Sequence, residues 1–224
     1  VKTKSIFESS SGIRFLDARS VIILTNGSAG QSYGAFCNNG MVLRHKGTCN
    51  DGVGKSACGG EIIINNPSDK KTKILRNVLV GNFALFGATG GRLFVEGEAG
   101  DRFAVRNSGA TAVVEGVGEY CAEYMTNGTI LNLGTFSRGF GNGMSGGFAY
   151  QYDPKKFIKK NISKESVLFN YLDGKTEISN IHEETIFTLL NWHFNATKSR
   201  IAQYIIDNWS TEKFNMVYIT PKAF

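Results

Sequence analysis

Four carboxylates recur at nearly equal spacing in the glycine-rich part of the chain. Glu96 and Glu115 each precede a glycine and lie 19 residues apart, whereas Asp101 and Glu119 each follow a glycine and lie 18 residues apart. Paired carboxylates can serve as general acid and general base, as they do in glycoside hydrolysis. One hypothesis is therefore a carbohydrate-binding or carbohydrate-cleaving site built from these four groups.

The alternative is a structural role in which arginines close in sequence neutralise the acids, namely Arg92, Arg102 and Arg106. Carbohydrate sites usually also present exposed aromatic side chains, and most aromatics in this chain fall at apparent core positions. We therefore favour the structural interpretation of the carboxylates.

Other motifs for chemistry are incomplete. Gly54-Lys55-Ser56 resembles the end of a phosphate-binding P-loop, but the first glycine of that motif would fall at Cys49. Gly52-Val53-Gly54 has no βαβ unit around it, as a dinucleotide site would require. His182 has no second histidine four residues later, and Ser145 lacks the glycine placement of a nucleophile elbow. We predict no catalytic, cofactor-binding or metal-binding residue in this chain.

The remaining reactive or charged residues suggest a cytoplasmic protein without a nucleic-acid or membrane partner. The cysteines are too few and too irregularly spaced for a disulfide framework, so we expect buried, reduced thiols at Cys37, Cys49, Cys58 and Cys121. The net charge of +6 comes partly from basic runs at 70–76 and 155–160, which lack a nucleic-acid motif. No apolar run is long enough to span a membrane.

Glycine spacing indicates the elements that position these residues. The chain has 27 glycines but only 3 prolines in 224 residues. Strand-sized apolar segments follow six glycines at intervals of 20, 31, 18, 19 and 19 residues, at Gly40, Gly60, Gly91, Gly109, Gly128 and Gly147. An earlier copy follows Ser20, and the long interval contains a charged insertion at 67–77. This period predicts an all-β, single-stranded parallel β-helix.

A second glycine series lies inside each period, at Gly30, Gly81, Gly100 and Gly118. Glycine adopts positive φ without steric cost, so we expect these residues at corners of the coils.

The C-terminal third has a different pattern. Apolar residues recur at helical spacing between Glu183 and Phe194, and a second helix is expected at 201–206 after a cap at Thr197 or Ser199. Residues 214–220 predict a final strand. The predicted organisation is a lead-in at 1–19, a β-helix domain at 20–152, and a helical appendage with a last strand at 153–224, which packs against the final coils or caps them.

Several segments, in order, resemble the C-terminal GXGXG domain of the glutamate synthase large subunit: GSAGQSYGAF (27–36), NDGVGKSACGGEIII (50–64), the stretch 81–128 beginning GNFALFGATGG, and GFGNGMSGGFAY (139–150). The tail at 193–209 is similar to the end of that subunit. The resemblance implies a right-handed β-helix. In that family the large subunit transfers the amide nitrogen of glutamine to 2-oxoglutarate, using a nucleophilic cysteine, FMN and a 3Fe-4S cluster that lie in other domains.

The resemblance carries no catalytic residue onto this chain. It implies a structural domain, catalytically silent by itself and without its own cofactor, that holds glutaminase and FMN-binding domains together. Those two domains are the implied partners, and the small NADPH-oxidising subunit is a further candidate. The rival hypothesis remains a free-standing carbohydrate-binding β-helix that uses Glu96, Asp101, Glu115 and Glu119.

Overall fold

The computed structural model describes residues 6–8, 14–67 and 77–222. In chain order its strands are β1 (Ile6–Glu8), β2 (Arg14–Leu16), β3 (Val21–Ser28), β4 (Met41–Thr48), β5 (Cys58–Asn65), β6 (Val78–Val80), β7 (Gly90–Val95), β8 (Glu98–Ala99), β9 (Ser108–Gly116), β10 (Asn127–Thr135), β11 (Phe148–Tyr152), β12 (Val167–Tyr171) and β13 (Met216–Pro221). The helices are α1 (Ile158–Asn161), α2 (Glu177–Thr197), α3 (Arg200–Asp207) and α4 (Trp209–Glu212), followed by a 3-10 turn at Lys213–Asn215. The predicted insertion at 67–77 lies largely outside the described residues.

Seven strands stack in parallel, in the order β3, β4, β5, β7, β9, β10 and β11, and form a solenoid of about six turns. Each apolar segment predicted from the glycine period coincides with one of these strands. The predicted β-helix with a C-terminal helical part is therefore confirmed.

From β4 to β10 the long sheet is buried on both faces. Ile62, Leu93 and Ile130 point into the bore of the solenoid, whereas the intervening residues Ile63 and Phe94 point outward and pack beneath the helices. Strands buried on both sides need apolar residues at nearly every position, which explains why these segments show no polar alternation.

A short turn run lies between the strands of each coil. In six coils, three alternate residues of this run have positive φ: Ser32, Gly34 and Phe36; Gly52, Gly54 and Ser56; Phe83, Leu85 and Gly87; Arg102, Ala104 and Arg106; Tyr120, Ala122 and Tyr124; Gly139, Gly141 and Gly143. Left-handed backbone costs a residue with a side chain about 1–2 kcal/mol. Hydrogen bonds between coils hold it in place, such as Ala104 N–H to the Ala84 carbonyl at 2.8 Å.

The second glycine series differs from the prediction. Gly30 has a φ of +73°, but Gly81, Gly100 and Gly118 are not in the left-handed region. A Cβ at each of these three would instead collide with a side chain or backbone of the preceding coil. They are glycines because the coils approach closely there.

The C-terminal region closes the solenoid with strands rather than helices. β13 pairs antiparallel with β11, and β12 pairs antiparallel with β13, so two strands cover this end of the parallel stack. Of the two expected placements of the helices, capping the coils or packing against them, α2 takes the second. The first long helix, α2, begins at Glu177, capped by Thr176, and lies across the outer face of β5, β7 and β9. The cap of α3 is Ser199, which accepts a hydrogen bond from Ala202 N–H at 3.1 Å.

Candidate functional site

Asp101 and Glu119 lie one coil apart, as predicted, in a ladder of side-chain-to-backbone hydrogen bonds. Asp51 Oδ1 accepts from Asn82 N–H at 2.7 Å, Asn82 Oδ1 accepts from Asp101 N–H at 2.9 Å, and Asp101 Oδ1 accepts from Glu119 N–H at 2.8 Å. Each rung satisfies a backbone donor beside a close-approach glycine. The ladder therefore gives Asp101 a structural partner, and the repeated dipeptides Gly-Asn, Gly-Asp and Gly-Glu are its sequence signature.

Glu96 and Glu115 follow the paired residues Val95 and Val114, so the sheet register brings them side by side near the end of α2. Glu96 Oε2 accepts hydrogen bonds from Asn65 Nδ2 at 3.1 Å and Asn66 N–H at 3.3 Å. Both carboxylates thus have hydrogen-bond partners within the fold, and the partner of Glu115 lies on helix α2.

Glu115 contacts helix α2 directly. Its Oε1 lies 3.0 Å from Nε2 of the fully buried His193, whose Nδ1 has no hydrogen-bond partner within the described chain. The contact joins α2 to the solenoid.

The C-terminal end of α2 is also bound by the sheet. Arg44 donates to the Ala196 carbonyl at 2.7 Å, and Asn65 Nδ2 donates to the Thr197 carbonyl at 3.3 Å. A cation near the C-terminus of a helix is favoured by the helix dipole and satisfies carbonyls that lack intrahelical partners. These contacts fix the helix across the strands.

The arginines expected to neutralise the four acids have other partners. Arg92 lies 3.8 Å from a Glu61 oxygen, Arg102 lies 3.6 Å from Glu123, and Arg106 stacks on the Tyr124 ring. The cation that pairs with Glu119 is instead Arg138, at 2.9 Å. Sequence proximity was misleading here because the pairs form between coils.

The three histidines lie in separate environments. His45 is buried at the β3 end, where its Nδ1 lies 2.9 Å from Thr25 Oγ1. His182 is buried on α2, its ring stacked 4.3 Å from that of Tyr218. Its Nδ1 lies 2.9 Å from the hydroxyl of Tyr150, and burial lowers the pKa of His182. Within 6–8, 14–67 and 77–222, no group of three or more His, Cys, Asp or Glu could hold a metal ion.

A buried carboxylate that the sequence did not reveal is Asp153. Its oxygens accept from Phe157 N–H and Ile158 N–H, both at 2.8 Å, and from the Tyr171 hydroxyl at 2.7 Å. Burial and this carboxylate both raise the pKa of Tyr171. Asp153 fixes the chain where it leaves the last coil, which is again a structural role.

The cysteines are all free, as expected, but only three are buried. Cys37, Cys49 and Cys121 are inaccessible, whereas Cys58 is exposed, contrary to the prediction. Burial raises the pKa of Cys49 to about 12, so its thiol stays protonated. Cys58 is accessible because it is the first residue of β5 and lies at the surface of its coil.

Two groups of exposed apolar side chains lie toward the two ends of the sheet, and other exposed apolar side chains lie elsewhere, at Phe36, Val78, Phe86, Tyr124, Phe157, Phe187, Trp192, Tyr204 and Phe214. At one end, β3 exposes Ile22, Ile23 and Leu24. At the other end, large apolar side chains are exposed on β11, β12 and the first turns of α2, namely Phe148, Leu168, Ile178 and Ile181. We call these the β3 surface and the α2 surface. The sequence did not reveal them because apolar strand residues are ordinarily predicted to be buried.

Comparisons with known proteins agree on one family. The family model described as "GXGXG motif" matches residues 7–222. The ferredoxin-dependent glutamate synthase of Antithamnion sp. is 46% identical over 197 residues, covering 88% of this chain and 12% of that protein. The NADPH glutamate synthase large chain of Bacillus subtilis is 41% identical, covering 88% and 13%. The NADH glutamate synthase of Schizosaccharomyces pombe is 40% identical, covering 93% and 10%. The chain therefore spans about a tenth of the length of these relatives.

Proposed function

The chain belongs to the GXGXG domain family of glutamate synthases, and on that premise we propose that it is a rigid spacer without catalytic residues of its own. In this proposal it holds the glutaminase domain and the FMN-binding synthase domain in the relative placement that ammonia transfer requires. FMN and the 3Fe-4S cluster belong to those other domains, and the enzyme acts in the cytoplasm. The small NADPH-oxidising subunit is a further proposed partner.

The observation that carries this proposal is the separation of the β3 and α2 surfaces. In one continuous sheet, β3 lies six strand steps from β11, which corresponds to roughly 29 Å, and β12 lies two steps further. Exposed apolar surface marks protein contacts when it is gathered rather than scattered. Two such surfaces on one rigid body suit a domain that contacts two neighbours.

The stiffness of the connection also supports a spacer. From β4 to β10 both faces of the sheet are buried, and apolar side chains fill the bore. Helix α2 crosses β5, β7 and β9 and is attached at its C-terminal end by Arg44 and Asn65. Bending the solenoid would break these contacts together, because close-packed interiors deform poorly.

The contacts of the four candidate acids favour this role over the carbohydrate hypothesis. Asp101 supports a neighbouring backbone N–H, Glu119 pairs with Arg138, and Glu115 pairs with the buried His193. Glu96 binds Asn65 and the following backbone N–H. Glu96 faces a cleft that it shares with Leu24, Arg44 and Lys46, but none of the other three acids lines that cleft. A general acid and a general base would both need to face one substrate cleft.

The test uses the purified 224-residue chain. We expect no glutamine hydrolysis, no FMN binding and no affinity for glycans. The variant Glu96→Gln with Glu115→Gln serves as the matched control and should behave like the wild type in all three assays. Turnover of glutamine by the chain alone, or glycan binding that the double variant loses, would overturn the proposal.

No helix in the described part of the chain combines the length and apolarity needed to cross a membrane.

A further inference from the structure

The outermost strand of the sheet has the side chains of an internal one. Ile22, Ile23 and Leu24 on β3 are 54%, 40% and 71% exposed. Their partners on β4 are Val42, Leu43 and Arg44. Val42 and Leu43 are buried, at 3% and 7%. The apolar row that fills the bore therefore continues onto β3, where Ile22, Ile23 and Leu24 stay exposed within the described part of the chain.

The two faces of β3 continue two different parts of the core. Ile23 continues the row of Leu43 and Ile62, which fills the bore. Ile22 lies beside the buried Val42 on the face opposite the bore, where the next residue of the row, on β5, is Glu61. A flat docking partner would cover one face only, whereas another strand stacked on β3 would extend both rows.

The backbone of β3 also offers a strand site. Val21 N–H donates to the Gly40 carbonyl at 3.1 Å, and Ala29 N–H donates to the Thr48 carbonyl at 2.9 Å. Because donors alternate along a parallel strand, the N–H groups of Ile22, Leu24 and Asn26 point away from β4. Among the described residues, β3 is the last strand of its sheet.

This edge lacks the features by which proteins block unwanted pairing. Edge strands are usually protected by charged residues, proline or a bulge. β3 has the sequence VIILTNGS and pairs with β4 in unbroken register over all eight residues, from Val21 with Met41 to Ser28 with Thr48. The opposite end of the parallel stack is covered by β13 and β12.

We propose that a strand from another part of the glutamate synthase polypeptide pairs with β3 and adds one more layer to the solenoid. The inference rests on the proposed function, because it names one of the two contacts that the spacer makes. We place this added strand in the same polypeptide because roughly nine-tenths of the length of each relative lies outside the matched region. Main-chain hydrogen bonds would supply affinity, and apolar side chains facing Ile22 and Leu24 would supply specificity.

Hydrogen exchange at single-residue resolution tests this pairing, in the isolated chain and in the complete enzyme. In the isolated chain, the amides of Ile22, Leu24 and Asn26 should exchange freely, while those of Ile23 and Thr25, which face β4, are protected. In the complete enzyme the first three should slow by about a hundredfold or more, because exchange then requires local opening. Unchanged exchange of these three amides overturns the inference.

Two outcomes identify other occupants and equally overturn it. Protection that appears in the isolated chain as its concentration rises means that β3 pairs with a second copy. Burial of position 24 is measured by thiol labelling of Leu24→Cys in a Cys58→Ser background. If position 24 is buried in the complete enzyme but the β3 amides do not exchange more slowly, a non-strand element covers the β3 surface. Phe36→Cys is the reagent control in the isolated chain, because Phe36 and Leu24 are equally exposed, at 71%.

A proline variant keeps the test independent of overall folding. Leu24→Pro removes an amide that does not bond to β4, so the isolated chain should fold normally, as edge strands tolerate proline. In the complete enzyme it should restore fast exchange at Ile22 and Asn26. Ile23→Pro removes a donor to β4 and should instead destabilise the isolated chain. If β3 is paired but the isolated chain hydrolyses glutamine, the proposed function fails and the pairing stands.

Discussion

The Asp101 carboxylate accepts a hydrogen bond from Glu119 N–H in the neighbouring coil, at 2.8 Å. A pair of acids whose spacing suggested general acid–base chemistry is thus one rung of a structural ladder. The same carboxylate fills the space that a side chain at Gly118 would need. The acid and the glycine therefore depend on each other, because the two coils approach so closely that the Asp101 carboxylate leaves no space for a Cβ at position 118.

Removing this rung should destabilise the chain without affecting any activity. Asp101→Ala leaves the Glu119 N–H without its acceptor, so we expect a loss of about 1 kcal/mol in the free energy of unfolding. Asp101→Asn retains an oxygen acceptor and should lose less. Urea denaturation followed by circular dichroism measures both, and equal stability of the two variants would show that the hydrogen bond contributes nothing.

Glycines in the left-handed runs should differ in their tolerance of alanine. At Gly139 a Cβ would collide with the Tyr120 ring, whereas at Gly87 no atom lies within 4 Å. Both have positive φ, of +73° and +62°. Gly87→Ala should cost about 1–2 kcal/mol for the backbone alone. Gly139→Ala should cost roughly 1–3 kcal/mol more, because the ring must move. Identical melting temperatures would contradict this assignment.

His182 should make stability depend on pH. Its folded pKa lies below the ordinary value of 6.5 because burial disfavours the charged ring. The neutral form stabilises the fold above the unfolded pKa, and this contribution is lost as pH falls from 6.5 through the lower folded pKa. His182→Gln keeps a partner for the Tyr150 hydroxyl but does not titrate. The wild type should therefore lose more stability than the variant over this window, and parallel pH profiles would contradict the account.

Thiol accessibility provides a simple check of the solenoid interior. Cys58 is exposed, whereas the other three cysteines are buried, so a native chain should react with one equivalent of an aromatic disulfide reagent. Denaturation should release all four thiols. Cys58→Ser should abolish the native reaction. Rapid reaction of two or more thiols in the folded wild type would mean that the coils are looser than described.

Sequence reasoning predicted the repeat well because a stack of coils forces one period onto every strand. The left-handed residues Leu85 and Ala104 were not predictable, since their conformation is imposed by the coils above and below rather than by their own preference. β12 was missed because VLFNY pairs antiparallel outside the glycine period. The exposure of Leu24 was missed because an apolar residue in a strand gives the same pattern whether or not a neighbour covers it.

The most direct test of the spacer is to shorten it by one coil in the complete enzyme. Deleting residues 111–128 places Thr129 in the register of Thr111 and brings the two ends closer by about 4.8 Å. Circular dichroism of the isolated deletion chain establishes that the shorter solenoid folds. The measurement is the ratio of glutamate formed to glutamine hydrolysed. The account predicts that hydrolysis continues while this ratio falls and that added ammonia restores glutamate formation. An unchanged ratio in a correctly folded deletion variant would contradict the spacer role.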